Sequence, residues 1–205
     1  MEISNRILLT AAALFTRYGV KSVTMDDIAA ELGISKKTIY QHFADKDEIV
    51  YQVVQLEMEK DQCEHLELDK VSENTIDKIM RSANMMRLQF ASMNPSLIFD
   101  VKKYHPRAWQ IFQEHKQKFL LESIRQDFIR GIQEGVFRAD LNIEVLCRLR
   151  MEEIEMGFDY QLFSPDKFNL LDVQLVFLDH FIRGILSEQG VVIYESYLYK
   201  QLVKW

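Results

Sequence analysis

The chain has 205 residues and a formal net charge of −6 at pH 7, and 48% of its residues are hydrophobic. Its negative charge argues against indiscriminate binding to nucleic acids, and no apolar run approaches the ~20 residues that span a bilayer, so we expect a cytoplasmic protein with no membrane partner. Only seven glycines and three prolines occur, which predicts an all-α fold, because loops and sheets consume these residues.

Helix signals divide the first forty residues. Apolar residues recur every three or four positions up to Gly19, where the first predicted helix ends. Thr24 and Asp27 have the spacing of a capping box and begin a second helix, and Gly33 suits the left-handed residue that follows it. Ser35 can cap a third, very short helix. Two short helices joined by a glycine-containing turn have the spacing of a helix-turn-helix.

The segment 33–49, GISKKTIYQHFADKDEI, collects polar donors around the apolar pair Ile39 and Phe43. In a helix-turn-helix the second helix lies in the major groove, where its first residues meet base edges and its N-terminus attracts phosphate. The alternative is that Lys36 and Lys37 form only a solvated face. The residues that this pattern assigns to DNA are Ser35, Lys36, Lys37, Thr38, Tyr40, His42 and Lys46.

Beyond residue 44 the sequence predicts helices throughout. A fourth begins at Asp45 and continues towards Glu59, and a fifth runs from Asn74 to about residue 92. Pro95 and Pro106 suit first helical positions. Apolar residues then step at multiples of four down one face as far as position 132.

Two apolar stripes run along a helix predicted for residues 142–163, and the helix predicted for 170–186 is apolar on most of its circumference. Helices that are apolar on two faces must bury both, and a second copy of the chain is the simplest cover for the outer face. We expect a helix rather than a strand for the tail, 191–205. The expected interface residues are Val145, Leu149, Met156, Tyr160, Phe163, Leu175, Leu178 and Ile182.

Aromatic and methionine side chains in the middle of the chain are candidates for an apolar ligand pocket, although such residues at helical spacing more often belong to a core. Arg150, Glu153 and Asp159 either orient a ligand or form interface ion pairs, and we favour the ion pairs. The pocket candidates are Met85, Met86, Phe90, Phe99, Tyr104, Trp109 and Phe112.

Catalytic and metal-binding motifs are missing from the sequence. There is no glycine-rich phosphate loop, no nucleophile elbow and no HExxH. Cys63, Glu64 and His65 come nearest to a metal cluster, but adjacent residues point in different directions on a helix. We therefore expect no enzyme activity, no metal and no cofactor, and we expect Cys63 and Cys147 to be reduced thiols.

The stretch that begins at Arg6, RILLTAAALFTRYGVKSVTMDDIAAELGISKKTIYQHFADKDEI, resembles the DNA-binding domain of TetR-type transcriptional regulators. The resemblance implies a three-helix DNA-binding domain over 1–47, and a larger helical ligand-binding and dimerisation domain over 48–205. It also implies a homodimer and repression that a small molecule relieves. The matching landmarks are Ala11, Phe15, Gly19, Thr24, Ile28, Ala29, Gly33, Ser35, Thr38, Tyr40, Phe43 and Lys46.

The same resemblance implies roles for particular residues. Thr24 matches a contact to the DNA backbone at the start of the second helix. Tyr40 and Lys46 match phosphate contacts, while Lys36, Lys37 and Thr38 fall where base and backbone contacts are made.

These observations predict a ligand-responsive transcriptional regulator that represses by binding double-stranded DNA at a near-palindromic operator. It would bind as a homodimer and be released by a small apolar or amphipathic effector. Two alternatives stay open: a constitutive DNA-binding protein without an effector, and a helical small-molecule-binding protein whose helix-turn-helix is vestigial.

Overall fold

The computed structural model describes residues 2–91 and 93–202, and most of them are helical. The predicted all-α fold is confirmed, since the described residues contain no strand and only an isolated antiparallel bridge between Phe137 and Leu186. A π-helical segment covers Lys116–Leu120. The helices are α1 (Ile3–Tyr18), α2 (Met25–Leu32), α3 (Lys36–Tyr40), α4 (Lys46–Val71), α5 (Thr75–Ala91), α6 (Ser96–Tyr104), α7 (Pro106–His115), α8 (Leu121–Gln133), α9 (Ile143–Met156), α10 (Leu170–Ile185) and α11 (Glu188–Leu202).

The chain divides into two compact units. The first contains the residues up to Asp61 and those between Ala91 and His115, and the second contains Gln62–Phe90 and the chain from Lys116 onwards. Helices α6 and α7 therefore belong to the same unit as α1–α3. The predicted domain boundary after residue 47 separates DNA-binding from ligand-binding residues, which is a different division from that into compact units. It stays a prediction.

Each unit has its own apolar core. The core of the first unit includes Phe15, Ile28 and Ile39, and that of the second includes Ile76 and Phe128. All five side chains are at most 2% exposed, and burying each one contributes about 1.5–3 kcal/mol. Across the described residues, every helix is too short or too polar to be a membrane span.

Two helix boundaries differ from the sequence-based prediction. Helix α4 continues past Glu59 to Val71, because the intervening segment contains no glycine or proline and is rich in good helix formers. The predicted helix over 142–163 ends instead at Met156. The amide of the buried Gln174 donates to the carbonyl of Ile154 at 2.9 Å, and an added Cβ at Gly157 would lie 2.2 Å from that amide nitrogen. Gly157 is thus the C-cap residue of α9, with the side chain of Gln174 packed beside it.

Other predicted boundaries agree more closely. Pro106 is the first residue of α7, as predicted, whereas Pro95 lies one residue before α6. The tail is helical as far as residue 202. Residue 92, at the predicted end of the fifth helix, and residues 203–205 lie outside the described residues.

Candidate DNA-binding surface and ligand cavity

Helix α3 is short and capped, and two apolar side chains, one within it and one just after its end, fix this segment to the core. The hydroxyl of Ser35 accepts from the backbone N–H of Thr38 at 3.1 Å, and the two hydroxyls are 2.9 Å apart. Ile39 and Phe43 are 0% and 3% exposed. The predicted cap and both apolar anchors are confirmed. With one face held in this way, the polar residues of α3 face outwards.

The turn before α3 is fixed by a capping box and a glycine. Thr24 accepts from the N–H of Asp27 at 3.2 Å, and Asp27 accepts from the N–H of Thr24 at 2.8 Å. Hydrogen bonds from Thr24 lower the pKa of Asp27, so its carboxylate stays ionised at the helix N-terminus. Gly33 has φ +66°, and an added Cβ would meet nothing within 4 Å. The backbone conformation, rather than a lack of space, requires glycine there.

The predicted DNA-binding side chains differ in their present partners. Lys37 and His42 are exposed, and Tyr40 is 49% exposed. The ammonium of Lys36 lies 2.7 Å from the carboxylate of Asp26 on α2, and both side chains are exposed. Because solvent screens an exposed ion pair, a phosphate can replace Asp26 as the partner of Lys36.

Lys46 is bonded within the first unit. Its ammonium donates to the carbonyl of Val20 at 2.5 Å. Partial burial lowers the pKa of Lys46, while the nearby carboxylates of Asp100 and Asp27 oppose this effect. The structure thus supplies a carbonyl and two carboxylates as local partners of Lys46. The contact between Lys46 and phosphate stays a prediction.

Polar contacts connect α6 and the residue after it to the segment between α1 and α2 and to the start of α4. The carboxylate of Asp100 accepts from the backbone N–H of Lys21 at 3.0 Å. The ring Nδ1 of His105 is 2.7 Å from the carboxylate of Asp47, in the first turn of α4. These contacts fix the start of α4 relative to the other helices of the first unit.

A cavity of about 180 Å³ lies within the second unit. Residues from α5, α8, α9 and α10 form most of its wall, and most of the wall is apolar. Its lining residues are His65, Ile79, Ser82, Ala83, Met86, Leu120, Ser123, Ile124, Asp127, Phe128, Phe137, Arg150, Ile154, Leu178, Phe181, Ile182 and Ile185.

Two charged side chains in the wall have different partners. Asp127 lies 2.6 Å from the ammonium of Lys78, which is also 2.6 Å from Asp69. Burial raises the pKa of Asp127 although Lys78 opposes the shift. Arg150 is 8% exposed, and burial lowers its pKa. Its guanidinium lies 3.4 Å from the carboxylate of Glu153.

The seven predicted pocket residues do not come together. Met86 lines the cavity of the second unit, whereas Trp109 and Phe112 line a separate cavity of about 120 Å³ in the first unit. Met85, Phe90, Phe99 and Tyr104 line neither of these cavities. Most residues that line the second-unit cavity, including Phe128 and Phe181, were not among those predicted for a pocket. Their spacing marks them as buried, but no local pattern shows that a cavity lies beside them.

The predicted interface residues are also divided. Val145, Leu149 and Met156 are 58%, 48% and 39% exposed along α9, so they are accessible to a partner. Leu178 and Ile182 line the cavity instead of the outer face of α10. Val176, which is 65% exposed, was not predicted, and it gives α10 an apolar outer residue.

Two further predicted interface residues, Tyr160 and Phe163, lie in the turns after α9. Because α9 ends before them, they do not continue its apolar stripe. Leu175, the remaining member of the predicted set, is partly buried on α10.

Arg150 and Glu153 pair within α9, while Asp159 lies in the turn that follows it. Arg150 lines the cavity, and ion pairs of these residues across an interface stay a prediction. Among the described residues, no group of three or more His, Cys, Asp or Glu side chains is arranged to hold a metal ion. Cys63 and Cys147 are both free thiols, exposed and buried respectively.

Comparison with known proteins agrees with the assignment of a helix-turn-helix to the N-terminal helices. Residues 7–53 match the family of bacterial regulatory proteins described as the tetR family. The chain is 34% identical over 108 residues to the uncharacterized HTH-type transcriptional regulator YvaF of Bacillus subtilis, and this match covers 52% of the chain and 56% of YvaF. The chain thus spans little more than half the length of that relative.

The match to the HTH-type transcriptional repressor KstR2 of Mycobacterium tuberculosis has 29% identity and covers 69% of this chain and 72% of KstR2. A regulator from Saccharomonospora viridis, solved in complex with choline, superimposes with a TM-score of 0.72 and 19% identity, covering 90% and 98% of the two chains. This likeness concerns the fold alone. The family model over residues 7–53 and the relatives point to the tetR family of bacterial regulatory proteins, and the solved structures share its fold.

Proposed function

We propose that the chain is a ligand-responsive transcriptional repressor, with residues 1–47 as its DNA-binding domain and residues 48–205 as its ligand-binding and dimerisation domain. The observation that carries this proposal is the division of α3. Ile39 and Phe43 are buried, whereas Lys37 and Tyr40 are exposed. A helix held in this way presents its donors to the edges and phosphates of a major groove.

The repressor acts as a homodimer on a near-palindromic operator. Two copies place their α3 helices in successive major grooves, which requires half-sites ~34–36 Å apart or a multiple of that distance. The exposed apolar residues Val145 and Leu149 on α9 and Val176 on α10 support a dimer interface on these helices, because a C2 dimer uses the same patch of both copies.

A small molecule in the cavity of the second unit releases the repressor. Helix α4 contributes residues up to Asp61 to the first unit and the rest, including the cavity residue His65, to the second. A ligand that favours one position of this helix favours one arrangement of α3, and only such differential affinity shifts the equilibrium. The regulator from Saccharomonospora viridis, solved with choline, is a structural neighbour that binds a small molecule.

Selection of bound fragments from sheared genomic DNA tests this proposal. The matched control is the double variant Lys37→Ala, Tyr40→Ala, which changes two exposed side chains and leaves the capped, anchored helix intact. We expect the wild type alone to enrich a few near-palindromic sites, and we expect a reporter downstream of such a site to be repressed.

Three results would contradict separate parts of the proposal. No enrichment at any salt concentration would mean that the helix-turn-helix does not bind DNA and would favour the small-molecule-binding alternative. Enrichment without release by any member of a broad compound panel would indicate constitutive binding. Activation of the reporter would exclude repression.

A further inference from the structure

We infer that the ligand of the second-unit cavity is a compact organic acid, and that its carboxylate pairs with Arg150. This inference rests on the proposed function, because it names the chemical class of the effector. Three observations carry it: the size of the cavity, its apolar wall and the incomplete hydrogen bonding of a buried guanidinium.

The size of the cavity restricts the ligand. Pockets for drug-sized ligands have volumes of about 300–1,000 Å³, whereas this cavity has about 180 Å³. A cavity of about 150 Å³ lined by apolar side chains accepts benzene. The ligand body is therefore one ring or a short aliphatic chain, in contact with side chains such as Ile124, Phe128 and Leu178.

Arg150 supplies the charge. A guanidinium carries five N–H donors and stays protonated in proteins. Among the described residues, the hydrogen bonding of Arg150 amounts to one contact, to Glu153, at 3.4 Å, which is longer than a charge-assisted bond of about 2.7–2.9 Å. On one side the guanidinium lies 5.7 Å from the centre of the Phe181 ring. A cation buried with so few partners is costly, and a ligand carboxylate can accept two parallel N–H bonds from it.

The other charged group in the wall is already compensated. Asp127 accepts from the ammonium of Lys78 at 2.6 Å, and Lys78 is 3% exposed. Asp69, the second partner of this ammonium, is 45% exposed, so solvent screens its charge. Arg150 is thus the charged lining residue with the least complete set of partners, and it favours an anion over a cation.

Calorimetric titration with three probes of one shape and different charge tests the inference. The probes are phenylacetate, the neutral phenylacetamide and the cationic phenethylammonium, and each is titrated into the full chain at pH 7. We expect phenylacetate to bind at least about tenfold more tightly than the amide, since charge-assisted hydrogen bonds are about twice as strong as neutral ones. We expect the cation to bind more weakly than either.

Variants of α9 then assign the preference to one side chain. Arg150→Met should remove the preference for the acid while the amide still binds, and Arg150→Lys should keep part of it. The matched control is Arg148→Met, which removes an equal charge from an exposed position on the same helix and should leave all three affinities unchanged. If Arg150→Met does not fold, the three probes on the wild type still decide.

Equal binding of the acid and the amide, or tighter binding of the cation, would overturn the inference and leave the proposed function standing. Binding of none of the three probes would also overturn it. In that case, release of operator DNA by a broader panel, measured separately, decides whether the chain responds to a ligand at all.

Discussion

Helices α1–α3 and the second unit differ in what they bury. In α1–α3 all the buried residues are hydrophobic, whereas the second unit also buries Lys78, Lys116, Arg150 and Gln174. Two polar side chains, Thr24 and Ser35, act instead at helix ends, where they cap α2 and α3. Polar side chains therefore cap helices in the first region and are buried in the second.

Caps and apolar anchors give a rigid element, because each of them satisfies a backbone group or buries carbon without charge. A short helix that must meet DNA in one orientation needs this rigidity. Buried charges instead cost free energy unless each has a partner. Of the buried cations in the second unit, Arg150 lines a cavity, and a ligand there would give it a partner.

The largest expected effect comes from breaking the buried ion pair of the second unit. Lys78→Met leaves the carboxylate of Asp127, whose side chain is 20% exposed, without its cation. We expect the free energy of unfolding to fall by about 3–5 kcal/mol. Urea denaturation measures the loss. The matched change in the other region is Lys36→Met, which breaks an exposed, solvent-screened pair with Asp26 and should cost much less.

The same variant has a pH dependence of definite sign. Burial already raises the pKa of Asp127, so the folded state binds its proton more tightly than the unfolded state, and stability falls as pH rises through the window between the two pKa values. Without Lys78 the pKa rises further. The deficit of Lys78→Met should therefore shrink between pH 7 and pH 5, where Asp127 can be protonated. A deficit that is unchanged with pH, or equal to that of Lys36→Met, would contradict this account.

The two regions also differ in how far the sequence predicts them. Each helix cap joins residues three positions apart, Thr24 with Asp27 and Ser35 with Thr38. Their spacing in the sequence is therefore enough to predict the contact. Lys78 finds Asp127 across 49 residues, and Gln174 bonds to the last turn of α9 from 20 residues away. No local pattern contains these pairings. The capped helices are therefore predictable from the sequence, while the cavity is not.

The interface prediction lies between these cases. Val145 and Leu149, four residues apart on α9, are exposed as a helical period requires. On α10, which is apolar on most sides, periodicity does not distinguish the inner Leu178 from the outer Val176. Only the packing of α10 against its neighbours makes that distinction.

A charge on the outer face of α10 should break the proposed dimer. In a C2 interface Val176→Glu introduces the carboxylate twice, so we expect the dissociation constant of the dimer to rise by about 100-fold or more, equivalent to about 2.7 kcal/mol. Sedimentation velocity across a concentration series measures this constant. The control is Val192→Glu, at a 71% exposed position of α11. Dissociation by the control but not by Val176→Glu would place the interface elsewhere.

Two lysines near α3 should separate contacts to bases from contacts to phosphates. Lys46→Ala should weaken binding to every duplex and lower the salt slope by about one, whereas Lys37→Ala should change the preference among operator sequences. Fluorescence anisotropy between 50 and 200 mM salt gives both quantities. Because Lys46 also donates to the carbonyl of Val20, an unchanged slope with a lower melting temperature would assign Lys46 to folding alone.

The smallest expected effect is a gain. Asp26→Asn removes the carboxylate that lies 2.7 Å from the ammonium of Lys36, so this lysine is free to meet a phosphate. We expect the affinity for DNA to rise by about threefold and the salt slope to increase by up to one. Asp26 also lies in the first turn of α2, where a carboxylate contributes about 0.3–1 kcal/mol to the helix. Stability should therefore fall slightly while affinity rises, and opposite signs are not expected from general damage to the fold.

The control is Glu31→Gln, an exposed position on the same helix, which changes the net charge by the same amount. If Glu31→Gln raises the affinity equally, the effect reports the overall charge of the helix-turn-helix and not the partner of Lys36. A gain confined to Asp26→Asn would instead mean that Asp26 holds Lys36 away from the DNA. The outward face of α3 would then depend on one exposed ion pair, while its inner face depends on Ile39 and Phe43.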